Sequence, residues 1–242
     1  MPPAAPGPKT AIAARRVAWP QAWRVIASRF PPINLFERVS TDPRVWDVLI
    51  ELEQLTNPRV RDEVGAIHLV PPQRRVSGPN ASWVMAPFTH VNVLGSRFSD
   101  GSYGVYYAAR QLETAIRETA HHFARFASAA NDPPRRETMR VLVGPIEHSF
   151  DDAYALDETT RAAILDKDSY VHSHPFGADR RNNGSDGLIY PSVRHDGGQC
   201  VAVFWPDVVG IPLQERHLNY EWDGRRVIRY FDYQHEGWTR LT

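Results

Sequence analysis

The sequence predicts an α+β fold, in which a mixed β core carries flanking helices and an N-terminal, mostly helical extension. From about residue 90 onward, short segments rich in branched and aromatic residues outnumber the helical patterns. These segments do not alternate regularly with helices, as the strands of a doubly wound parallel sheet would. With 42% hydrophobic and 23% charged residues, the 242-residue chain is long enough to bury a sizeable core.

Composition along the chain predicts three regions. Residues 1–20 are rich in Pro and Ala and are predicted to be a disordered tail. Residues 21–89 are predicted to be an extension packed on the core, and residues 90–242 the main domain. The first helix of the extension lies in "STDPRVWDVLIELEQLTNP", with Asp42 as its cap. Its predicted buried stripe consists of Val45, Leu49, Leu52 and Leu55. Pro43 suits its first position, and Asn57-Pro58 is predicted to end it.

Branched and aromatic segments in the main domain predict strands. They cover residues 104–109, 139–146, 187–193 and 200–205. Near the end, "LNYEWDGRRVIRYFDY" places two such segments around Asp223-Gly224, which is typical of a tight hairpin.

An amphipathic helix is predicted for "QLETAIRETAHHFARF", packed on the sheet. Its predicted apolar stripe consists of Leu112, Ala115, Ile116, Thr119, Phe123 and Phe126. Glu113, Arg117 and His121 point to the opposite side and are interpreted as a solvated face. At about 100° per residue, Glu118 falls beside the edge of the stripe, where a salt bridge with Arg125 is the simplest interpretation.

The segment before this helix contains two further candidates. In "GVYYAA", Tyr106 and Tyr107 face opposite sides of the strand, so one packs under the helix and the other faces away from it. The preceding loop, "GSRFSDGSYG", is rich in Gly and Ser, which leaves backbone N–H groups accessible to a ligand. Arg97 in this loop suits a phosphate group, although a plain surface charge fits the loop equally well.

Charge and cysteine content exclude several function classes. The 28 basic residues balance the 28 acidic ones, so nucleic-acid binding is not expected. Cys200 is the single cysteine, and "QCVAVFW" predicts a buried core thiol. No apolar run approaches the roughly 18 residues of a membrane span, and prolines interrupt the N-terminus where a secretory signal needs an apolar core. A soluble, cytoplasmic protein without a membrane partner is expected.

A metal-dependent hydrolase is an alternative. His172 and His174 stand two apart in "VHSHPF", and His121-His122 and Asp151-Asp152 add further ligand types. No third ligand has a telling spacing, so surface or core histidines are the favoured interpretation and no metal site is predicted.

The ordered motifs "GSRFSDGSYGVYYAARQLETAIRE" and "GSDGLIYPSVRHDGGQCVAVF" resemble the RES domain, the toxin of a bacterial toxin–antitoxin system. The resemblance covers roughly residues 90–232 and makes 90–242 the catalytic domain. It implies a fold related to ADP-ribosyltransferases, with NAD as the substrate and no other cofactor. The implied catalytic residues are Arg97, Tyr107, Glu118 and Ser192.

The chemistry of cleaving the nicotinamide–ribose bond suggests a role for each of these residues. Glu118 would stabilise the positive charge that develops on the ribose, Arg97 would hold the diphosphate, and Tyr107 would pack on the nicotinamide or its ribose. Ser192 would position Glu118 or bond the substrate. Further substrate-binding candidates are His90, Ser96 and Arg194.

The resemblance implies a small helical antitoxin of the Xre type as partner, and it leaves homo-oligomer formation open. The acceptor is equally open: water gives a NAD glycohydrolase, phosphate a NAD phosphorylase, and a protein side chain an ADP-ribosyltransferase. A catalytically silent binding module is a third class, against which the complete motif set argues. One departure concerns "SYVHSHPFGADRRNNG", where Pro175 and Gly177 predict that a helix usual in relatives is shortened or broken.

Overall fold

A computed structural model describes residues 12–30, 40, 42–54 and 64–241 of the chain. Among these residues, eight strands form one sheet. The strands are β1 (Ala14–Ala27), β2 (Tyr106–Ala109), β3 (Arg135–Asp152), β4 (Gly187–Pro191), β5 (Gln199–Val203), β6 (Leu213–Trp222), β7 (Val227–Asp232) and β8 (Gly237–Arg240). The helices are α1 (Trp46–Gln54), α2 (Ala81–Thr89), α3 (Leu112–Ala129), α4 (Glu158–Ile164) and α5 (Ser173–Asn182).

The sheet is mixed and partly closed on itself. Its strand order is β1-β2-β5-β4-β3-β6-β7-β8, and β1 pairs with β3 as well. The extra pairing joins the first five strands of this order into a ring, from which β6, β7 and β8 continue. β3 and β4 are parallel, whereas the other pairs are antiparallel. The predicted α+β class with a mixed β core and flanking helices is confirmed.

Two apolar clusters lie on opposite sides of β2. Ala109, Ile116 and Phe123 belong to the cluster that joins the sheet to α3. Tyr106 and Met85 belong to the second cluster, which joins the sheet to α1 and α2. The two tyrosines of β2 therefore face opposite sides, as the alternation predicts, and Tyr107 is the one on the α3 side.

The prediction of a disordered tail over residues 1–20 is wrong from Ala14 onward, where β1 begins. β1 pairs with β3 from Ala14 to Ala27, and a register shift between Trp19 and Ala22 accommodates Pro20. Composition obscured this strand because Pro and Ala are poor strand formers, and a long partner strand compensates for their low propensity. Since β1 also pairs with β2, the predicted boundary at residue 90 does not coincide with a break in the sheet.

The predicted first helix exists, but its buried stripe is different. Asp42 accepts a hydrogen bond from the Arg44 backbone N–H, as a cap should, and a short 3-10 turn, Pro43–Val45, precedes α1. Val45 and Leu52 are exposed, whereas Trp46 and Ile50 are buried. The tight 3-10 start rotates the helix relative to the predicted register. Leu55 and Asn57-Pro58 lie outside the described residues.

Helix α3 also differs in register from the prediction. Ala120 and Ala127 are buried, whereas Phe126 is 54% exposed and contacts Arg29. Small alanines allow a close approach of α3 to the sheet, so packing selected them over the bulkier Phe126. The stripe is consequently turned toward Thr114, and Thr119 moves to its edge.

Of the predicted shortening or break, the break is wrong, because helix α5 is continuous over Ser173–Asn182. Pro175 lies in the first turn, where its missing N–H has no partner to lose. Gly177 faces the chain at Phe98, because a Cβ there would stand 2.3 Å from the Phe98 carbonyl oxygen. The glycine is therefore a packing requirement. No helix among the described residues is long and apolar enough to cross a membrane.

Candidate functional site

A cavity of about 210 Å³ opens between α3 and the strand ring. The residues that line it come from β1, the 95–99 loop, β2, α3, β4 and β5. The lining residues are Trp23, Arg24, Val25, Arg97, Tyr107, Ala108, Ala109, Ala115, Glu118, Thr119, His122, Tyr190 and Cys200. Three of the four predicted catalytic residues, Arg97, Tyr107 and Glu118, thus lie in one cavity.

Ser192 is joined to this cavity through Glu118. Its hydroxyl donates a hydrogen bond to Glu118 Oε1 at 2.6 Å, across 74 residues of sequence. Ser192 Oγ in turn accepts from the backbone N–H groups of Arg194 and His195, at 3.2 and 3.1 Å. Three neighbours therefore fix the Ser192 hydroxyl, and it fixes the carboxylate. Among the described residues, Glu118 forms no salt bridge with Arg125, although the helix alone suggested one.

Tyr107 anchors the glycine-rich loop. Its hydroxyl hydrogen-bonds the Ser96 hydroxyl at 2.9 Å and accepts from the Phe98 N–H at 3.0 Å. Burial raises the pKa of Tyr107 to about 12, so the phenol stays protonated. Gly95 enters the loop at φ +76°, a conformation that glycine adopts without strain. The Tyr107 ring faces the cavity while its hydroxyl holds the loop in place.

Arg97 is buried, with 5% of its surface exposed, and it is not a free surface charge. Its Nη1 donates to the carbonyl oxygens of Ile164 and Asp166, at 3.3 and 2.7 Å. The guanidinium also lies 5.0 Å from the centre of the Tyr170 ring. Arg97 therefore ties the loop of the motif to the turn that follows α4, while one side of it lines the cavity.

Arg24 is a cavity residue that the sequence interpretation missed, because it lies in a segment assigned to the N-terminal extension. Its Nη1 donates to the Tyr107 carbonyl oxygen at 2.9 Å, and its guanidinium lies 4.6 Å from the Tyr106 ring. Burial lowers the pKa of Arg24, with the nearby tyrosines acting in the opposite direction. The signal that could have identified this strand is the alternation of Trp23, Val25 and Ala27, with Arg24 between them.

His121 and His122 extend the site along α3. Burial is the main cause that lowers the pKa of each to about 4; neighbouring arginines lower that of His121 further, and His121 followed by the arginines lowers that of His122. His122 is exposed to solvent on the side that lines the cavity. Protein atoms surround the rest of its ring, and they cause the burial. His121 was predicted to be solvated, but its Nε2 is buried. The prediction is wrong on this side of the helix, where Tyr170 of the turn after α4 packs on Arg125, one helical turn from His121.

The further substrate-binding candidates have different positions. Ser96 bonds Tyr107, and Arg194 donates to the Lys167 carbonyl oxygen beside the cluster of arginines. His90 follows α2, where its ring faces Thr89 and Gly65, and it is not among the residues that line the cavity. The structure therefore brings Ser96 and Arg194 to the site's border and leaves His90 outside the lining.

The histidine pair of the metal alternative lies at the start of α5. His174 Nε2 contacts the Ser96 carbonyl oxygen at 2.8 Å, and this contact fixes α5 against the loop. His172 is exposed and precedes the helix. Within the described ranges, no group of three His, Cys, Asp or Glu residues is placed to hold a metal ion. Cys200 is buried as expected, and burial raises the pKa of its thiol.

Comparison with known proteins identifies a family. The model of the RES domain matches residues 72–223. The uncharacterized protein y4oC of Sinorhizobium fredii (strain NBRC 101917 / NGR234) is 30% identical over 219 residues, which cover 89% of this chain and 88% of that protein. A chain of the crystal structure of the M. tuberculosis MbcT-MbcA toxin-antitoxin complex aligns with a TM-score of 0.40 and 8% identity, over 87% of each chain.

The family match spans most of the chain and includes all four predicted catalytic residues. It begins after β1, so Arg24 and Trp23 line the cavity from outside the matched region. The chain belongs to the RES domain family.

Proposed function

We propose that this protein is a toxin that consumes NAD by cleaving the bond between nicotinamide and ribose, and that a cognate antitoxin neutralises it. The observation that carries the proposal is the Glu118 carboxylate, which Ser192 holds at 2.6 Å in a cavity walled by Tyr107. The RES family membership supports the same substrate, because the family motif residues Arg97, Tyr107 and Glu118 lie in that one cavity.

Cleavage of a glycosidic bond passes through an oxocarbenium-like transition state, which in sugar hydrolysis usually requires two carboxylates. Nicotinamide leaves as a neutral molecule from a cationic pyridinium, so it needs no proton from a general acid. A single carboxylate is therefore sufficient, and Glu118 supplies one.

Glu118 would act on the ribose. Its carboxylate stabilises the positive charge that develops on the ring in the transition state, and Ser192 keeps it oriented for that contact. At an effective dielectric constant near 20 and a separation of about 4 Å, the interaction is worth roughly 4 kcal/mol. If it arises in the transition state alone, this corresponds to about a thousandfold in rate.

The cavity suits one end of the substrate. Its volume of about 210 Å³ is below the roughly 300–1,000 Å³ of sites that enclose a whole drug-sized ligand. The nicotinamide and its ribose would enter it, with Tyr107 and Trp23 against the rings. The diphosphate would then extend past Arg97 and His122, at the border of the cavity.

Incubation of the purified protein with NAD tests the proposal. Parallel samples contain NAD alone, NAD with inorganic phosphate, and NAD with cell extract, and mass spectrometry identifies the ribosyl product. Free ADP-ribose indicates water as acceptor, a phosphorylated ADP-ribose indicates phosphate, and modified protein indicates an ADP-ribosyltransferase. Absence of nicotinamide release in all three samples contradicts the proposal and leaves a binding module.

The antitoxin requires a separate experiment. The family resemblance points to a small helical protein of the Xre type, which would cover the NAD cavity. Co-expression of this chain with the product of a neighbouring gene should restore growth that the chain alone arrests, and a Glu118→Gln variant should be harmless without it. Growth arrest by Glu118→Gln equal to that by the native chain would contradict a toxicity based on the cavity.

A further inference from the structure

Three buried polar atoms beside the cavity have no hydrogen-bond partner among the described residues. They are His121 Nε2, Tyr170 Oη and Arg194 Nε. In folded proteins, about 90% or more of buried polar groups are hydrogen-bonded, so each exception requires an explanation, such as a bound ion or a water molecule. Six further orphaned atoms lie elsewhere in the described residues, whereas these three lie in one neighbourhood, where a single polar ligand would partner them together.

The three residues belong to one cluster around the turn that follows α4. Arg97 and Arg125 both stack on the Tyr170 ring, at 5.0 and 5.1 Å from its centre. Arg194 is fixed to the same turn by its bond to the Lys167 carbonyl oxygen. His121 lies within electrostatic reach of all three arginines. We call His121, Arg125, Tyr170 and Arg194 the turn cluster.

The arginines of the turn cluster and the adjoining Arg97 have no carboxylate in direct contact among the described residues. None of Arg97, Arg125 and Arg194 forms an ion pair within 4.0 Å of a carboxylate in the described part of the chain. Glu118 and Asp168 act on Arg194 from a longer distance. The Asp166 carboxylate, which accepts from the backbone N–H groups of Asp168 and Ser169, likewise acts on Arg97 from a longer distance.

The titration of the histidines agrees with this charge distribution. Burial is the main cause of the low pKa of His121, and the positive charges of Arg194, Arg125 and Arg97 lower it further. A region in which neighbouring cations suppress the protonation of an imidazole has a positive electrostatic potential. An anion would relieve that potential and would occupy the orphaned donors.

We propose that the turn cluster is an oxyanion subsite that binds a phosphoryl group. A phosphoryl group offers several oxygens to converging donors, and the planar guanidinium groups of Arg125 and Arg194 match it better than a single ammonium would. The phosphoryl group comes from the NAD diphosphate or from free inorganic phosphate. This inference rests on the proposed function, since Arg97 and His122 connect the turn cluster to the cavity.

Arg97 then has a different role from holding the diphosphate directly. Because Arg97 Nη1 is held by two backbone carbonyls, Arg97 is a positioning residue that keeps Tyr170 and the turn in place. The anion itself would be contacted by Arg125, Arg194, the Tyr170 hydroxyl and His121.

Binding measured by calorimetry with inorganic phosphate and with ADP-ribose tests the subsite in the full-length protein. Arg194→Gln and Arg125→Gln should each weaken binding about tenfold or more, and Tyr170→Phe, which keeps the ring, about three- to tenfold. The matched control is Arg117→Gln, which removes the same charge from α3 on the side that pairs with Glu113. Its affinity should stay within about twofold of the native value.

The two phosphoryl sources give different outcomes. Competition between phosphate and ADP-ribose places the NAD diphosphate in the subsite, whereas simultaneous binding of both places free phosphate there. In either case, NMR should show the pKa of His121 rising when the anion binds. Equal affinities in all variants, or no binding of either probe, overturn the subsite.

NAD consumption by the same preparations separates this inference from the proposed function. NAD cleavage without any effect of the Arg125, Tyr170 and Arg194 variants on binding overturns the subsite alone. Anion binding that follows the expected order of variants, without NAD cleavage, overturns the proposed reaction and leaves the subsite in place.

Discussion

The arginines of the cavity and those of the C-terminal strands are used in opposite ways. On the C-terminal strands, Arg229 pairs with Glu221 at 3.0 Å and Arg216 with Asp232 at 2.8 Å. At the cavity, Arg24 and Arg97 donate to neutral carbonyl oxygens, and beside it, in the turn cluster, Arg125 stacks on an aromatic ring. A carboxylate neutralises an arginine, whereas a carbonyl or a ring leaves its charge in place.

The contrast indicates what each region does. The paired arginines join β6 to β7, and their partner carboxylates neutralise the charge that a ligand would otherwise meet. Cavity arginines keep their positive charge at a position where Glu118, fixed by Ser192, is the carboxylate in the lining. Such a distribution suits a substrate that carries a diphosphate at one end and develops positive charge at the other.

Glu118→Gln should produce the largest effect. It keeps the shape of the side chain and removes the charge that the proposed reaction requires, so kcat for NAD cleavage should fall about a thousandfold. The melting temperature should change little, because Glu118 forms no ion pair with a described residue. A variant with native kcat would remove Glu118 from the reaction.

Arg97→Ala should be the most destabilising of the changes at the cavity. It leaves the Ile164 and Asp166 carbonyl oxygens without their donor and takes one stacking partner from Tyr170, so the free energy of unfolding should fall by about 2–3 kcal/mol. Urea denaturation measures the loss. Arg97→Lys should recover part of it, and equal stability of the three proteins would contradict the positioning role.

Ser192→Ala should have an intermediate effect on catalysis. The variant removes the donor to Glu118 Oε1 and the acceptor for two backbone N–H groups, so kcat should fall about tenfold to a hundredfold. Ser192→Thr should recover part of the rate because it keeps the hydroxyl. Ser102→Ala, in an exposed turn, is the control and should keep native kcat.

Acidification should lower the stability of the folded protein through His121. The pKa of His121 is about 4 in the folded protein and about 6.5 in the unfolded chain. Between these values the unfolded chain binds more protons, so stability decreases as the pH falls from 6.5 toward 4. Thermal melts should show this fall, and it should be smaller in His121→Gln.

Arg229→Gln should have the smallest effect. The pair with Glu221 is partly exposed to solvent, so its loss should lower the free energy of unfolding by about 1 kcal/mol or less. NAD cleavage should stay native, because this arginine lies on β7 and outside the cavity lining. A large loss of activity would contradict the division between the two groups of arginines.

Local patterns predicted much of the fold. The 218–233 hairpin forms around Asp223, whose carboxylate accepts from two backbone N–H groups of the turn, and α3 runs through the predicted helix. The patterns failed for β1 and for the face that α3 buries. β1 is a strand because β3 pairs with it along its whole length, a contact between residues more than a hundred positions apart that composition does not reveal.

The sequence by itself determined the candidate residues Arg97, Tyr107, Glu118 and Ser192, because their order within glycine-rich, strand and helix patterns is specific to one family. The tertiary structure decided how they are used. It joined Ser192 to Glu118, committed Arg97 to a turn, and brought Arg24 from the N-terminal strand into the cavity. Each of these is a contact between distant segments, and periodicity along the chain describes only which side of an element a residue faces, not what the fold places opposite it.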